Sequence, residues 1–112
     1  MLKKMLLIGM ALLLAVPAFA TIRNLGPDYD QVVKLFQSEQ EPDAMDAIWD
    51  SAELLKIGVF DHGKQYAGYA QHACEVVEKN GFSGKAVSVQ IIDLSQLITK
   101  EKWVVLGQAS CH

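Results

Sequence analysis

The sequence predicts an α+β fold, in which two N-terminal helices precede a β-α-β-β unit and the strands form a small mixed sheet with helices packed on one face. Three observations lead to this prediction. An apolar leader ends in a small-residue cleavage pattern, so the folded part begins near residue 21. Short β-branched runs in the second half flank one long amphipathic segment. Two cysteines lie on that segment and at the end of the last run.

The first twenty residues have the form of a secretory signal peptide. Lys3 and Lys4 give a positive n-region, an apolar stretch of about a dozen residues follows, and Ala18-Phe19-Ala20 is a small-x-small cleavage site. A helix that spans a bilayer needs about 20 apolar residues, which is more than this stretch supplies. The sequence therefore predicts a periplasmic or secreted protein, whose mature chain, residues 21–112, is a single small α+β domain.

The charge of the mature chain argues against several classes of partner. Loss of Lys3 and Lys4 with the leader leaves eight basic residues against thirteen acidic ones, a net charge of −5. No basic patch is present, so neither nucleic acid nor, after cleavage of the leader, a membrane surface is an expected partner. Nine of the acids fall between residues 28 and 61, where two lysines oppose them. This acidic half favours a cationic partner, although solvated helix faces would give the same pattern.

Two helices are predicted before the sheet. Pro27 and Asp28 favour the start of the first helix near residue 28, because acids are stabilised in a first turn. Pro42 suits the first position of the second helix, since its missing N–H would be unpaired there, and this helix is predicted to end near Glu53. The apolar residues at helical spacing are Val32, Leu35 and Phe36 in the first helix and Met45, Ile48, Trp49 and Ala52 in the second.

The second half is predicted to alternate strand, helix, strand and strand. The run Ile57-Gly58-Val59-Phe60 disfavours a helix, so residues 54–60 are predicted as a strand, with a helix continuing through Lys56 as the alternative. The central helix covers residues 64–80 and ends at Asn80-Gly81. Strands are predicted over 86–93 and 103–110, with a helical turn over 94–98 between them. The first two strands should be parallel and the last two antiparallel.

Cys74 and Cys111 are predicted to form a disulfide. Exported proteins fold in an oxidising compartment, where two cysteines most often pair. Cys74 lies on the apolar face of the central helix, and Cys111 lies at the end of the last strand. In the chain-entropy model a disulfide that closes the loop from residue 74 to residue 111 stabilises the fold by about 3 to 4 kcal/mol. That is a large part of the total of order 5 to 10 kcal/mol expected for so small a domain.

A copper or zinc site is the alternative use of the same region, because His72, Cys74, Cys111 and His112 are all ligand types. The spacing disfavours it. Residues two apart in a helix point about 200° apart, so His72 and Cys74 face opposite sides. Neighbouring residues in a strand also alternate between faces, which separates Cys111 from His112. No metal site and no cofactor are therefore predicted, and His72 and His112 remain only as alternative ligands.

Asp61-His62, placed just before Gly63, is a candidate acid–base pair. Catalysis would also need a nucleophile, and none of the serines lies in a nucleophile elbow or another known motif. Asp-His-Gly before a helix more often forms a turn. A small hydrolase that uses Asp61, His62, His72 or His112 is therefore the alternative function, and no catalytic residue is assigned.

Contact with a partner is predicted at one aromatic and three acidic side chains. Trp103 is the aromatic residue best placed for contact, because it opens a strand expected at a sheet edge, whereas large aromatic residues usually belong to the core. Asp43, Asp46 and Asp50 are the acidic contacts. The sequence thus favours a non-catalytic binding module, such as an inhibitor, an immunity-type protein or an accessory subunit, with an envelope or secreted protein as partner. A structural envelope component would have the same features.

Overall fold

The computed structural model describes residues 25–112, so the predicted leader, residues 1–20, and the arm over residues 21–24 lie outside the described residues. Within residues 25–112 three α-helices and a four-stranded mixed sheet form an α+β fold, which confirms the predicted class. The elements in order are α1 (Pro27–Phe36), β1 (Asp46–Ser51), β2 (Leu54–Val59), α2 (Tyr66–Val77), a π-helical turn (Glu78–Phe82), β3 (Val87–Asp93), α3 (Leu94–Lys100) and β4 (Val105–Cys111). None of these helices combines the length and apolar character needed to cross a membrane.

The strands lie in the order β1-β2-β3-β4, so every strand neighbours the next one along the chain. β1 and β2 form an antiparallel hairpin, and β3 and β4 are antiparallel, as predicted for the last two strands. β2 and β3 are parallel with α2 as the connection between them, which confirms the pairing predicted from the strand–helix–strand order. β1 and β4 are the two edges of the sheet formed by the described residues.

The prediction of a second N-terminal helix is wrong, because the same residues form β1 and the hairpin turn that follows it. Burial alternates along β1: Ala47 and Trp49 are buried, whereas Asp46 and Asp50 are exposed. Met45, which helical spacing assigned to the apolar stripe, is 51% exposed. The physical reason lies in β2, whose apolar residues pair with β1 in the antiparallel register and bury its inner side chains. Pairing across a hairpin thus outweighs a helical spacing that is compatible with either structure.

α1 and α2 cover the same face of the sheet. The strand side chains buried on this face are Ala47, Trp49, Leu55, Ile57, Val59, Val87, Val89 and Ile91. α1 packs against β1, and α2 packs against β3 and β4. α3 departs from the predicted single helix layer, because it contacts the opposite face. A Cβ atom at Gly58, which would point to that face, would lie 2.7 Å from Cγ of Leu94.

The remaining boundaries follow the local signals in the sequence. Residues 54–59 form β2, so the alternative of a helix through Lys56 is wrong. α2 ends in the π-helical turn, where Gly81 has φ of 103° and the Asn80 side chain donates a hydrogen bond of 2.7 Å to the carbonyl of Val76. This confirms the helix stop predicted at Asn80-Gly81, since few residues other than glycine adopt this conformation. α3 extends the predicted helical turn to Lys100.

Candidate functional site

The disulfide between Cys74 and Cys111 is present, as predicted. It joins the apolar face of α2 to the last residue of β4, and both cysteines are buried. The described residues contain no free cysteine, so neither thiol is available as a metal ligand or a nucleophile there. A disulfide is compatible with an oxidising, exported location.

The sheet face opposite α1 and α2, called the open face below, carries the alternate side chains of the strands. The register places Lys56 between Ile48 and Gln90, with Gln108 on the far side of Gln90. Because side chains alternate along a strand, Asp46 and Ile48 of β1 belong to this face. The register shifts between Trp49 and Ser51, and the 3.6 Å contact of the Asp50 carboxylate with Nζ of Lys56 places Asp50 on the same face. α3 covers only one end of it, above Gly58. The open face therefore combines charged, amide and apolar groups.

An apolar pocket of about 210 Å³ lies on the open face between β1 and α3. Its lining residues are Ala47, Ile48, Gly58, Ile92, Leu94, Leu97 and Trp103, together with the charged residues Asp46 and Lys56. An apolar cavity of about 150 Å³ is large enough for benzene, so this pocket has room for one large apolar side chain. A larger residue at Gly58 would displace the side chain of Leu94, whose Cγ would lie 2.7 Å from the new Cβ atom.

Trp103 stands at this pocket with 54% of its surface exposed. The ammonium nitrogen of Lys56 lies 4.5 Å from the centre of its ring, which is a cation–π contact. Trp49 behaves differently: it is 4% exposed and stacks on Phe82 with ring centres 5.3 Å apart. Trp103 precedes β4 instead of opening it, since that strand begins at Val105. This position lets its side chain reach across the open face to β2.

The acidic residues predicted as contacts divide into two groups. Asp46 lines the pocket, and a carboxylate oxygen of Asp50 lies 3.6 Å from Nζ of Lys56. Asp43 is not among the lining residues and forms an ion pair of 3.2 Å with Lys64, just before α2. The structure therefore brings Asp46 and Asp50 to the same face as Trp103 and leaves Asp43 elsewhere. Sequence reasoning did not predict Lys56, Ile48 and Leu97 as part of this site, because the open face forms only when β1 pairs with β2.

A second polar cluster surrounds Glu41, which is 9% exposed. Nε2 of His72 lies 2.9 Å from one Glu41 carboxylate oxygen, and the Tyr69 hydroxyl donates to the same oxygen at 3.4 Å. Burial raises the pKa of the Tyr69 hydroxyl above its ordinary value, and the negative charges of Glu41 and Asp43 add to the effect. The cluster ties the loop before β1 to α2. His72, named as an alternative metal ligand, is therefore engaged with a carboxylate.

We expect Tyr69→Phe to reduce the loss of stability at alkaline pH. The unfolded chain releases a tyrosine proton at about pH 10. Because the pKa of Tyr69 is raised in the fold, the folded state retains this proton above that pH, and the free energy of unfolding falls as the pH rises towards the folded pKa. Melting temperatures between about pH 8 and pH 12 test this. Tyr29→Phe, whose hydroxyl bonds to the carbonyl of Ala52, is the control. Equal alkaline declines in the wild type and Tyr69→Phe would contradict the assignment.

The candidate residues of the alternative hydrolase form hydrogen bonds with separate groups of the protein. Asp61 accepts a 2.8 Å hydrogen bond from the N–H of Gly63, and the His62 N–H donates to the Tyr66 hydroxyl at 2.9 Å. These bonds shape the turn before α2. The N–H of His112 donates to Glu78 at 2.8 Å. Across residues 25–112, no three histidine, cysteine or carboxylate side chains are grouped so that they could hold a metal ion.

Comparisons of the chain with protein-family models, with curated proteins and with solved structures give no match. The function is therefore inferred from the geometry and chemistry of the open face.

Proposed function

We propose that this protein is an exported, non-catalytic binding module whose partner is another envelope or secreted protein. The observation that supports this most directly is Trp103, which stands half exposed beside the apolar pocket on the open face. Tryptophan is enriched among the residues that dominate the energy of protein interfaces, where it packs into or beside pockets that exclude water. Covering this apolar surface with a partner removes it from water, which lowers the free energy of the complex.

The proposed partner presents a cationic and apolar surface. Asp46 and Asp50 flank Ile48 on the open face, and Lys56 compensates one of these two charges. Most of the acids of the described chain belong to the same half of the sequence, so the surrounding field is also negative. Charge complementarity of this kind accelerates association and excludes wrong partners more than it adds affinity. The interaction should therefore weaken as salt is added.

The periplasm or the extracellular medium is the proposed location. The sequence of residues 1–20 predicts export, and the buried disulfide is compatible with an oxidising compartment. A partner in the same compartment is the only kind that the mature protein would meet. An inhibitor, an immunity-type protein or an accessory subunit would each use a surface of this type.

Capture from an envelope extract of the source organism tests the proposal. Immobilised mature protein should retain a protein partner at low salt and release it as salt is added. Trp103→Ala should reduce the retained amount by roughly thirtyfold, because a hot-spot truncation costs 2 kcal/mol or more. Gln108→Ala is the matched control, since Gln108 is exposed on the open face and does not line the apolar pocket.

Circular dichroism must show that both variants remain folded. The proposal fails if the wild type retains nothing at low salt. It also fails if Trp103→Ala retains the same protein in the same amount.

A further inference from the structure

We infer that the partner binds the pocket with an extended segment that adds a strand to the sheet at the β1 edge, placing an apolar side chain in the pocket and a basic side chain, two positions away, on Asp46. This inference rests on the proposed function and specifies the ligand of the same site. Four features of β1 support it: its edge position, its place beside the pocket, its charges and the fixed orientation of Asp46.

β1 pairs with β2 on one side only among the described residues, so the backbone groups on its other side face outwards, and of these the Ala47 N–H donates to the Asp46 carboxylate. An extended peptide can pair with such an edge, with main-chain hydrogen bonds giving affinity and side-chain pockets giving specificity. The side chains of an added strand alternate with the same period as those of β1. Every second residue of the ligand would therefore lie on the open face, beside Asp46, Ile48 or Asp50.

The pocket borders this edge directly. Asp46, Ala47 and Ile48, three consecutive residues of β1, are among its lining residues, and α3 and Trp103 contribute lining on other sides. A side chain on a strand next to β1 would thus enter the pocket beside Ile48. Since the volume is about 210 Å³, one leucine or phenylalanine side chain is the expected occupant.

The charges on β1 select a basic strand over a second copy of this protein. If two β1 strands paired antiparallel about Ile48, Asp46 of each copy would lie near Asp50 of the other, close to the register shift that follows Trp49. Like charges directly opposite each other destabilise a pair of strands, and charged residues of this kind are a common protection against edge-to-edge association. The same carboxylates favour a ligand that carries lysine or arginine.

The two carboxylates are not equivalent. Lys56 lies 3.6 Å from Asp50 and would repel a basic side chain placed beside that residue. No basic side chain pairs with Asp46 within residues 25–112. One of its oxygens accepts hydrogen bonds from Nε2 of Gln37 at 2.9 Å and from the N–H of Ala47 at 2.8 Å. These bonds orient the carboxylate, so the expected ligand has one basic residue, on the Asp46 side of its apolar residue.

Fluorescently labelled octapeptides of threonine test this, one with a central Lys-Thr-Leu and one with Leu-Thr-Lys, to cover both strand directions. One of the two should bind the mature protein in an anisotropy titration. Exchanging its lysine for glutamate, or its leucine for serine, should weaken binding at least about tenfold, a difference that a single lost hot spot would produce. Methylating the peptide nitrogens that pair with β1 should abolish binding, which a ligand held only by side chains would not show.

Exchange of charge on the protein gives the decisive control. Asp46→Lys should lose the lysine peptide and bind the glutamate peptide instead, a result that misfolding cannot produce. If neither peptide binds, while the immobilised protein still retains a partner that Trp103→Ala loses, the edge-strand inference is overturned and the proposed function stands. If Trp103→Ala changes neither capture nor peptide binding, both are overturned.

Discussion

Replacing Cys74 and Cys111 together by alanine is expected to lower the free energy of unfolding by about 3 to 4 kcal/mol. The bond joins residues 37 apart in sequence, and its loss allows the unfolded chain many more conformations. In a domain of this size 1 kcal/mol corresponds to about 4–8 °C, so the melting temperature should fall by roughly 12–32 °C. Thermal and guanidinium unfolding of a protein of residues 21–112 without reductant would measure the effect.

Reductant provides the internal control for this prediction. Because both sulfur atoms are buried, the wild type should resist mild reductant while folded and should lose stability only when it is reduced in denaturant and refolded. The stability of the double variant should be the same with and without reductant under both conditions. Two freely reactive thiols in untreated protein, or equal melting temperatures of variant and wild type, would contradict the prediction.

Gly107→Ala is the second large expected effect, with a loss of about 3 kcal/mol at the upper end of the usual cost of overpacking. A Cβ atom at Gly107 would lie 2.5 Å from the carbonyl carbon of Tyr66 and 2.7 Å from the backbone nitrogen of Ala67. These are backbone atoms at the start of α2, so no side-chain rotation relieves the clash. Either α2 or β4 must move, which also strains the packing around the disulfide.

Gly68→Ala is the matched control for this prediction. Gly68 lies in α2 two residues after Tyr66, but apart from its chain neighbours and the backbone of its own helix no atom lies within 4 Å of the position of its Cβ, and the residue is exposed. Alanine should therefore stabilise the helix by about 0.5–1 kcal/mol. Chemical denaturation of both variants gives the comparison. A Gly107→Ala protein as stable as the wild type would show that α2 and β4 can separate without cost.

Gly107 and the disulfide hold α2 against β4 at two points. Between Tyr66 and Cys74 the helix rises about 12 Å. Between Gly107 and Cys111 the strand advances about 13 to 14 Å. The near equality of these lengths allows the close contact at Gly107 and the bond at Cys111 to form along the same pair of elements. The sequence showed the cysteines but not the close contact, because one glycine in a strand has several explanations.

The open face illustrates how far sequence reasoning extends. Residue type and expected exposure predict Trp103, Asp46 and Asp50 as contacts, and the structure places all three on one face. The same reasoning predicts Asp43, which pairs with Lys64 instead. The pocket could not be predicted, since its walls come from β1, β2, β3 and α3, and it required β1 to be a strand.

Local chemistry in the chain is sufficient to predict the apolar strand β3, to favour a strand over a helix at β2, to place the helix stop at Asn80-Gly81 and to predict the pairing of the two cysteines. Each depends on residues close together in sequence or, for the cysteines, on the absence of any other thiol. The conformation of residues 46–51 and the convergence of charges on the open face were decided by tertiary structure. Their spacing fits a helix as well as a strand, and only burial of Ala47 and Trp49 under α1, in register with β2, selects the strand.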